Sequence, residues 1–177
     1  MTHFRKSGIG LPSSVEKVNL DVLSQLILNH DVYRVLLLGD LFHSTYNHQW
    51  QDFSDFMDTF SEISFILVKG NHDILHEHSY TSTRLKIYPV ELIEGPFAFT
   101  HEPVDNLEGY NICGHLHPAI KLRGQGLQSL RLPCFHFSET RLVLPAFGAF
   151  TGSMTIKPNK KTDTVYGVAE NKVIKVM

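Results

Sequence analysis

The sequence predicts an α/β fold of two packed β-sheets flanked by helices, and three features of its patterning carry that prediction. The first half alternates helical and strand-like stretches. From Leu85 onward, short apolar runs follow one another, separated by Gly, Pro and polar clusters. Several runs also stop abruptly at residues that can bind metal. Val35-Leu36-Leu37-Leu38 breaks at Gly39-Asp40, and Phe65-Ile66-Leu67-Val68 leads through Lys69-Gly70 into Asn71-His72-Asp73. Phe97-Ala98-Phe99-Thr100 ends at His101, and Tyr110-Asn111-Ile112-Cys113 passes Gly114 into His115-Leu116-His117. Apolar runs closed by a turn signal read as buried strands of a mostly parallel sheet, where ligands gather beyond the carboxyl ends.

Taken in order, residues 2–12 are polar and punctuated by Gly and Pro, a loop leading into a helix. Ser13-x-x-Glu16 has the form of a capping box. Leu20, Leu23 and Ile27 keep the spacing of a buried helical stripe that Val22 and Leu26 would widen, with the helix ending near Asn29-His30. A strand over 33–38 follows, then a polar loop over 44–49. The second helix carries Phe53, Phe56, Met57 and Phe60 on one face, a spacing that reads as core rather than a cofactor box. The strand over 65–68 completes a β-α-β unit. Later strands are expected over 85–88, 90–93, 97–100, 110–113, 120–122, 127–132 and 141–144. The tail adds β-branched runs over 164–168 and 173–177, with a surface turn at Asn159-Lys160-Lys161-Thr162-Asp163. With no internal repeat or linker, residues 1–177 are expected to form a single domain.

Composition narrows the class. The chain has 177 residues, 42% of them hydrophobic, enough for a sizeable core. A formal net charge of -2 excludes the global basic field of a general nucleic-acid binder, so any DNA contact has to be local. Cys113 and Cys134 have neither zinc-motif spacing nor the density of a disulfide scaffold, and read as buried thiols in a reducing compartment. The first residues lack the apolar core of a signal peptide, and no apolar run reaches membrane-spanning length. A cytoplasmic protein without a membrane partner is expected.

Eleven histidines are more than a chain of this size usually carries. Oxygen and nitrogen donors at several strand ends suit hard or borderline divalent metals such as manganese, iron or zinc. A lone histidine after a strand is ordinarily a surface or satisfied buried residue, and Gly-Asp after a strand is commonly a turn. The order in which the motifs occur, which is that of the family they resemble below, overturns those readings for Asp40, Asn71, His72, His101, His115 and His117. It leaves them standing for His3, His30, His48, His76, His78 and His136. Arg123, Arg131 and Arg141 likewise read as ordinary surface.

Gly39-Asp40-x-x-His43, Gly70-Asn71-His72-Asp73, His101 and Gly114-His115-x-His117, in that order, resemble the signature of the calcineurin-like metallophosphoesterases. Residues 2–9 and 142–152 are similar to the bacterial branch of ligase-associated DNA damage response endonucleases. The resemblance implies a metallophosphoesterase sandwich and a metal-dependent phosphoesterase. It points to a phosphodiesterase or nuclease acting on DNA in repair by attack of a metal-activated hydroxide on phosphorus. It implies two divalent ions, manganese first, with iron or zinc as alternatives. Asp40 would bridge them, Asn71, His101 and His115 would complete the second site, and His117 would belong to the first. His72 would act as an acid or phosphate-stabilising group, with Asp73 orienting its neighbours. Arg5, Lys6 and His43 would face the substrate. A DNA-repair ligase or helicase is the implied protein partner, and DNA or another nucleotide phosphate ester the implied substrate.

The family opens with a strand ending in Asp-x-His, a motif not found in these 177 residues. The expectation is an N-terminally incomplete domain lacking its first strand. Asp40 and His117 would then hold the first metal by themselves, and activity would be poor. Two alternatives accompany the main reading. One is a non-catalytic or single-metal homologue acting as a binding protein; the other is a small-nucleotide phosphodiesterase or phosphomonoesterase.

Overall fold

The computed structural model describes residues 14–41, 48–75, 79–80, 83–126, 128–148, 151–170 and 172–177, with side chains from 17 onward except those of 48 and 49. The expected loop over 2–12, the Ser13–Glu16 capping box, and Arg5, Lys6 and His43 lie outside the described side chains. The fold is mixed α/β with two sheets and few helices, as the patterning predicts. The chain divides into two compact units, residues 1–91 with 148–150, and residues 92–147 with 151–177.

In the first unit, helix α1 (Ser14–Asn29) precedes β1 (Arg34–Leu37), and α2 (His48–Thr59) connects β1 to β2 (Ser64–Val68), followed by β3 (Lys86–Tyr88). The three strands form a parallel sheet in the order β1-β2-β3, with Val35 opposite Phe65 and Leu67 opposite Ile87. Parallel neighbours on both sides bury the middle strand, and Phe65, Ile66, Leu67 and Val68 are all buried. Half-buried β1, on the outside of the order, corrects the expectation of a fully buried strand there.

The helices supply the rest of this core. Trp50, Phe53 and Met57 of α2 pack with Ile27, Phe65 and Leu67, and Leu20, Leu23, Phe56 and Phe60 are partly buried against them. Phe53 meets Phe65 edge-to-face, with centroids 6.1 Å apart. Truncating Leu67 to alanine here would cost about 2–5 kcal/mol. Val22 and Leu26 are exposed, so the α1 stripe is narrower than expected. The last turn of α2 has no basic residue of its own, and Arg84 donates to the carbonyls of Met57 and Ser61 instead.

The second unit carries a nine-stranded mixed sheet. Its strands are β4 (Glu91–Glu94), β5 (Phe97–Thr100), β6 (Tyr110–Cys113), β7 (Pro118–Arg123), β8 (Ser129–Phe137), β9 (Arg141–Val143), β10 (Met154–Thr155), β11 (Thr164–Ala169) and β12 (Lys172–Lys175). The path runs β10-β7-β8-β9-β6-β5-β4, with β11 pairing β8 and β12. Strand β8 extends past the expected 132 through Pro133, a residue that usually ends a ladder. Proline is tolerated because β8 changes partners there: Pro133 is its last pairing with β7, and Cys134 is its first with β11. Strand β10 was not expected from the sequence.

Cys113 and Cys134 are free and buried, and burial pushes both thiols up to about 11, Arg141 partly offsetting it at Cys113. His136 is a satisfied, half-buried histidine: its Nε2 lies 2.8 Å from Asp163 Oδ2, tying β8 to the turn before β11. No described helix is long and apolar enough to cross a membrane.

Candidate metal centre

Each unit assembles part of the predicted constellation at strand ends. In the first unit, Gly39 (φ +82°) lets the chain turn sharply after β1, and Asp40 follows at φ +54°. Asp40 Oδ1 accepts the His72 N–H at 3.0 Å. Asp73, 2% exposed, accepts the N–H groups of Asp40 at 2.8 Å and Gly70 at 2.9 Å through Oδ2. The turns after β1 and β2 are therefore cross-linked by two carboxylates, each taking one backbone donor from the other turn, while Asp73 also takes the Gly70 N–H of its own. Asn71 and His72 lie exposed at the tip of the second turn.

Next to this turn, Tyr80 is buried, and its phenol is pushed up to about 12 by burial and by the Asp73 carboxylate. Charge on Asp73 thus sits against a neutral ring.

In the second unit, His101 follows β5 and His115 lies just beyond β6, its parallel neighbour. The Gly114 N–H donates to the His101 carbonyl at 2.9 Å, holding the two strand ends together. His101 Nε2 and His115 Nδ1 stand 3.0 Å apart, with ring planes 79° from parallel. Two nitrogens bound to one ion at right angles, each about 2.1 Å from it, would be separated by about 3 Å, so this pair can seat a divalent ion. Without an ion, the same contact is an N–H···N hydrogen bond. His101 is 5% exposed, while Glu102 Oε1 lies 3.8 Å from His115 Nε2.

His117 is oriented through its other nitrogen. Its Nδ1 lies 3.1 Å from the Gly152 carbonyl, and its own carbonyl accepts the Met154 N–H at 2.9 Å. A histidine held to a backbone carbonyl at Nδ1 presents Nε2, an arrangement common for metal-binding imidazoles.

Backbone strain marks the same residues. Five described non-glycine residues have positive φ, and three of them are Asp40, His115 (+62°) and His117 (+46°). Such conformations cost roughly 1–3 kcal/mol each and concentrate where function over-determines the chain. His117 also precedes Pro118, which narrows its choices further.

Sequence reasoning missed Asn111, 2% exposed in β6. Its Nδ2 donates to Ala98 O at 3.0 Å and Thr100 Oγ1 at 2.9 Å, and its Oδ1 accepts the Val104 N–H at 3.2 Å. Thr100 Oγ1 in turn donates to Glu102 O at 2.6 Å, so this buried network brackets His101. An amide at an inward position of an apolar strand was the signal in the sequence. His101 and His115 stand at strand ends, and the residues that orient them come from elsewhere in the chain.

This arrangement of donors at strand ends belongs to a known class. The model of the calcineurin-like phosphoesterases matches residues 16–144, and the chain belongs to that family, whose members use divalent metals. The crystal structure of a nuclease from Pseudomonas putida, nuclease MPE, is similar, with a TM-score of 0.81 and 28% identity over 94% of this chain and 82% of that one. No curated protein sequence matches significantly.

Proposed function

We propose that this chain is a divalent-metal-dependent phosphodiesterase that cleaves DNA, with residues 1–177 working as one calcineurin-like domain. The observation that carries the reading is the His101–His115 pair, two imidazole nitrogens 3.0 Å apart at neighbouring strand ends. The family match, which runs through both units, and the nuclease likeness support it.

In this reading Asp40, Asn71, His101 and His115 hold one ion, and Asp40 and His117 another. The order of the family motifs supports that grouping. Bound ions, manganese foremost and iron or zinc as alternatives, would neutralise phosphate charge and lower the pKa of the attacking water. Asn71 would offer a neutral amide oxygen, which would leave the positive charge of a bound ion undiminished. His72 donates a proton to the leaving oxygen or steadies the phosphate. Its turn is held by the bond from its N–H to Asp40 and by the Asp73 carboxylate on Gly70. Gly152 fixes the ring of His117 through Nδ1. Arg5, Lys6 and His43 face the substrate by resemblance. A role in DNA repair beside a ligase or helicase rests on the likeness of 2–9 and 142–152 to the ligase-associated branch.

The test compares DNA, a cyclic nucleotide and a mononucleotide ester as substrates of the manganese-loaded protein. Hydrolysis of the small esters alone would overturn the nuclease reading. Metal uptake with no hydrolysis of any ester would favour a binding protein. His72→Ala should lose turnover and keep its metal; loss of metal instead would make His72 a ligand.

A further inference from the structure

The overall charge of -2 conceals a local asymmetry. From Gly109 to Ser138 the sequence carries Lys121, Arg123 and Arg131 and no aspartate or glutamate. The fold gathers these three cations. Lys121 and Arg123 alternate along β7 on its exposed face, with Ile120 and Leu122 on the other side. In the antiparallel pairing of β7 with β8, Lys121 stands opposite Arg131, and residues opposite each other project from the same face. The three side chains therefore share one exposed face of a two-stranded ribbon. Lys121 and Arg123 are about 7 Å apart along the strand, far enough for separate anionic groups.

The ribbon begins at the candidate site. Strand β7 starts at Pro118, immediately after His117. Arg131 reaches back across β7 to donate to the Ser153 carbonyl, one peptide unit from the Gly152 carbonyl that holds His117. This contact points the guanidinium toward the segment that orients His117, and a guanidinium has five N–H donors, so one carbonyl does not exhaust its capacity for phosphate. Scattered surface cations are ordinarily just solvated. A single face, a stretch without carboxylates and an arginine anchored beside a candidate ligand set these apart.

We infer that the Lys121, Arg123 and Arg131 face of the β7–β8 ribbon is the surface along which a nucleic-acid strand runs as it leaves the His117 end of the site, its phosphates meeting these cations. The inference rests on the phosphodiesterase reading above and adds where the substrate extends beyond the scissile phosphate. Such a surface raises affinity for long substrates by an electrostatic, sequence-independent term, and leaves the hydrolysis of small esters untouched.

The experiment measures binding of a fluorescein-labelled single-stranded DNA by anisotropy, in chelator and over a salt series, for the full chain and for the double variant Lys121→Ala, Arg123→Ala. The double variant should bind about tenfold more weakly, and its salt slope should be shallower by roughly 1.4, the value for two lost single-strand contacts. Its hydrolysis of bis(p-nitrophenyl) phosphate with manganese should match the parent. The charge-keeping variant Lys121→Arg, Arg123→Lys should bind like the parent. Unchanged affinity and salt slope in the double variant would overturn the inference, as would an equal loss of small-ester hydrolysis, which signals damage to the whole protein. The two readings fail separately: a parent protein that hydrolyses no ester refutes the phosphodiesterase reading, while the binding measurement judges the ribbon without metal or turnover.

Discussion

Asp73 Oδ2 accepts the backbone N–H of Asp40 across 2.8 Å, joining the turn after β1 to the turn after β2. The same oxygen takes the Gly70 N–H at 2.9 Å, and Asp73 is almost fully buried. Replacing it with alanine strips two backbone donors of their acceptor, at a cost of about 1–3 kcal/mol. Asp73→Ala should therefore shift the urea unfolding midpoint downward. A midpoint equal to the parent's would show that this carboxylate is not what holds the turns.

The left-handed backbone at His115 separates function from stability. Alanine and glycine both remove the imidazole, but alanine keeps the steric cost of φ +62° and glycine does not. His115→Gly should be more stable than His115→Ala by about 1 kcal/mol in urea unfolding. Both should weaken manganese binding measured by calorimetry. Equal stability of the two would mean that the backbone relaxes once the side chain is gone.

The proposed ligands are shared unequally. Asp40, Asn71, His101 and His115 offer four protein donors to one ion, whereas Asp40 and His117 offer two to the other. Four donors bind a divalent ion far better than two. Dialysed protein of these 177 residues should retain about one manganese per chain, with a second binding weakly in calorimetry. Two tightly held ions per chain would contradict this division of ligands.

Asp163 gives the fold a defined acid sensitivity. Burial favours its neutral form, yet the hydrogen bonds from His136, the Asn159 N–H and Thr162, together with the charge on His136, outweigh burial and hold its pKa below the ordinary 3.8. A carboxyl with a lowered folded pKa stabilises the fold above its unfolded value, and that contribution disappears as pH falls through the folded value. The parent should therefore lose stability as pH drops below about 4, and Asp163→Asn should lose less over the same range. Urea unfolding at a series of pH values reads the difference. Parallel profiles for the two proteins would place the acid sensitivity elsewhere.

How far the sequence could be read differs from element to element. Strand β5 and strand β6 were legible to the residue, because each is an apolar run closed by a glycine or a ligand-type residue. The breadth of the α1 stripe was not, since Val22 and Leu26 satisfy the helical period yet stay exposed among the described residues. Strand β8 was cut short at Leu132 by a rule that is sound for an uninterrupted ladder. Proline breaks a ladder where its missing N–H is needed, and here β8 leaves β7 for β11 at that point. The group that satisfies His136, Asp163, lies 27 residues away, so the local sequence does not show it.

The sequence by itself determined which side chains stand at these strand ends. Asp40, Asn71, His101, His115 and His117 each follow an apolar run or a glycine turn, and that local pattern needs no knowledge of what packs where. Only the tertiary structure decided how those donors are aimed. The 3.0 Å approach of His101 to His115 follows from the parallel pairing of β5 with β6. The clamp of Asp73 on Asp40 spans 33 residues, and the Gly152 carbonyl reaches His117 across 35. Orientation depends on hydrogen bonds between segments far apart in the chain, and these form only when the fold brings the segments together. Local sequence can specify a donor and its turn, but it carries no information about which distant carbonyl or carboxylate will hold that donor in place.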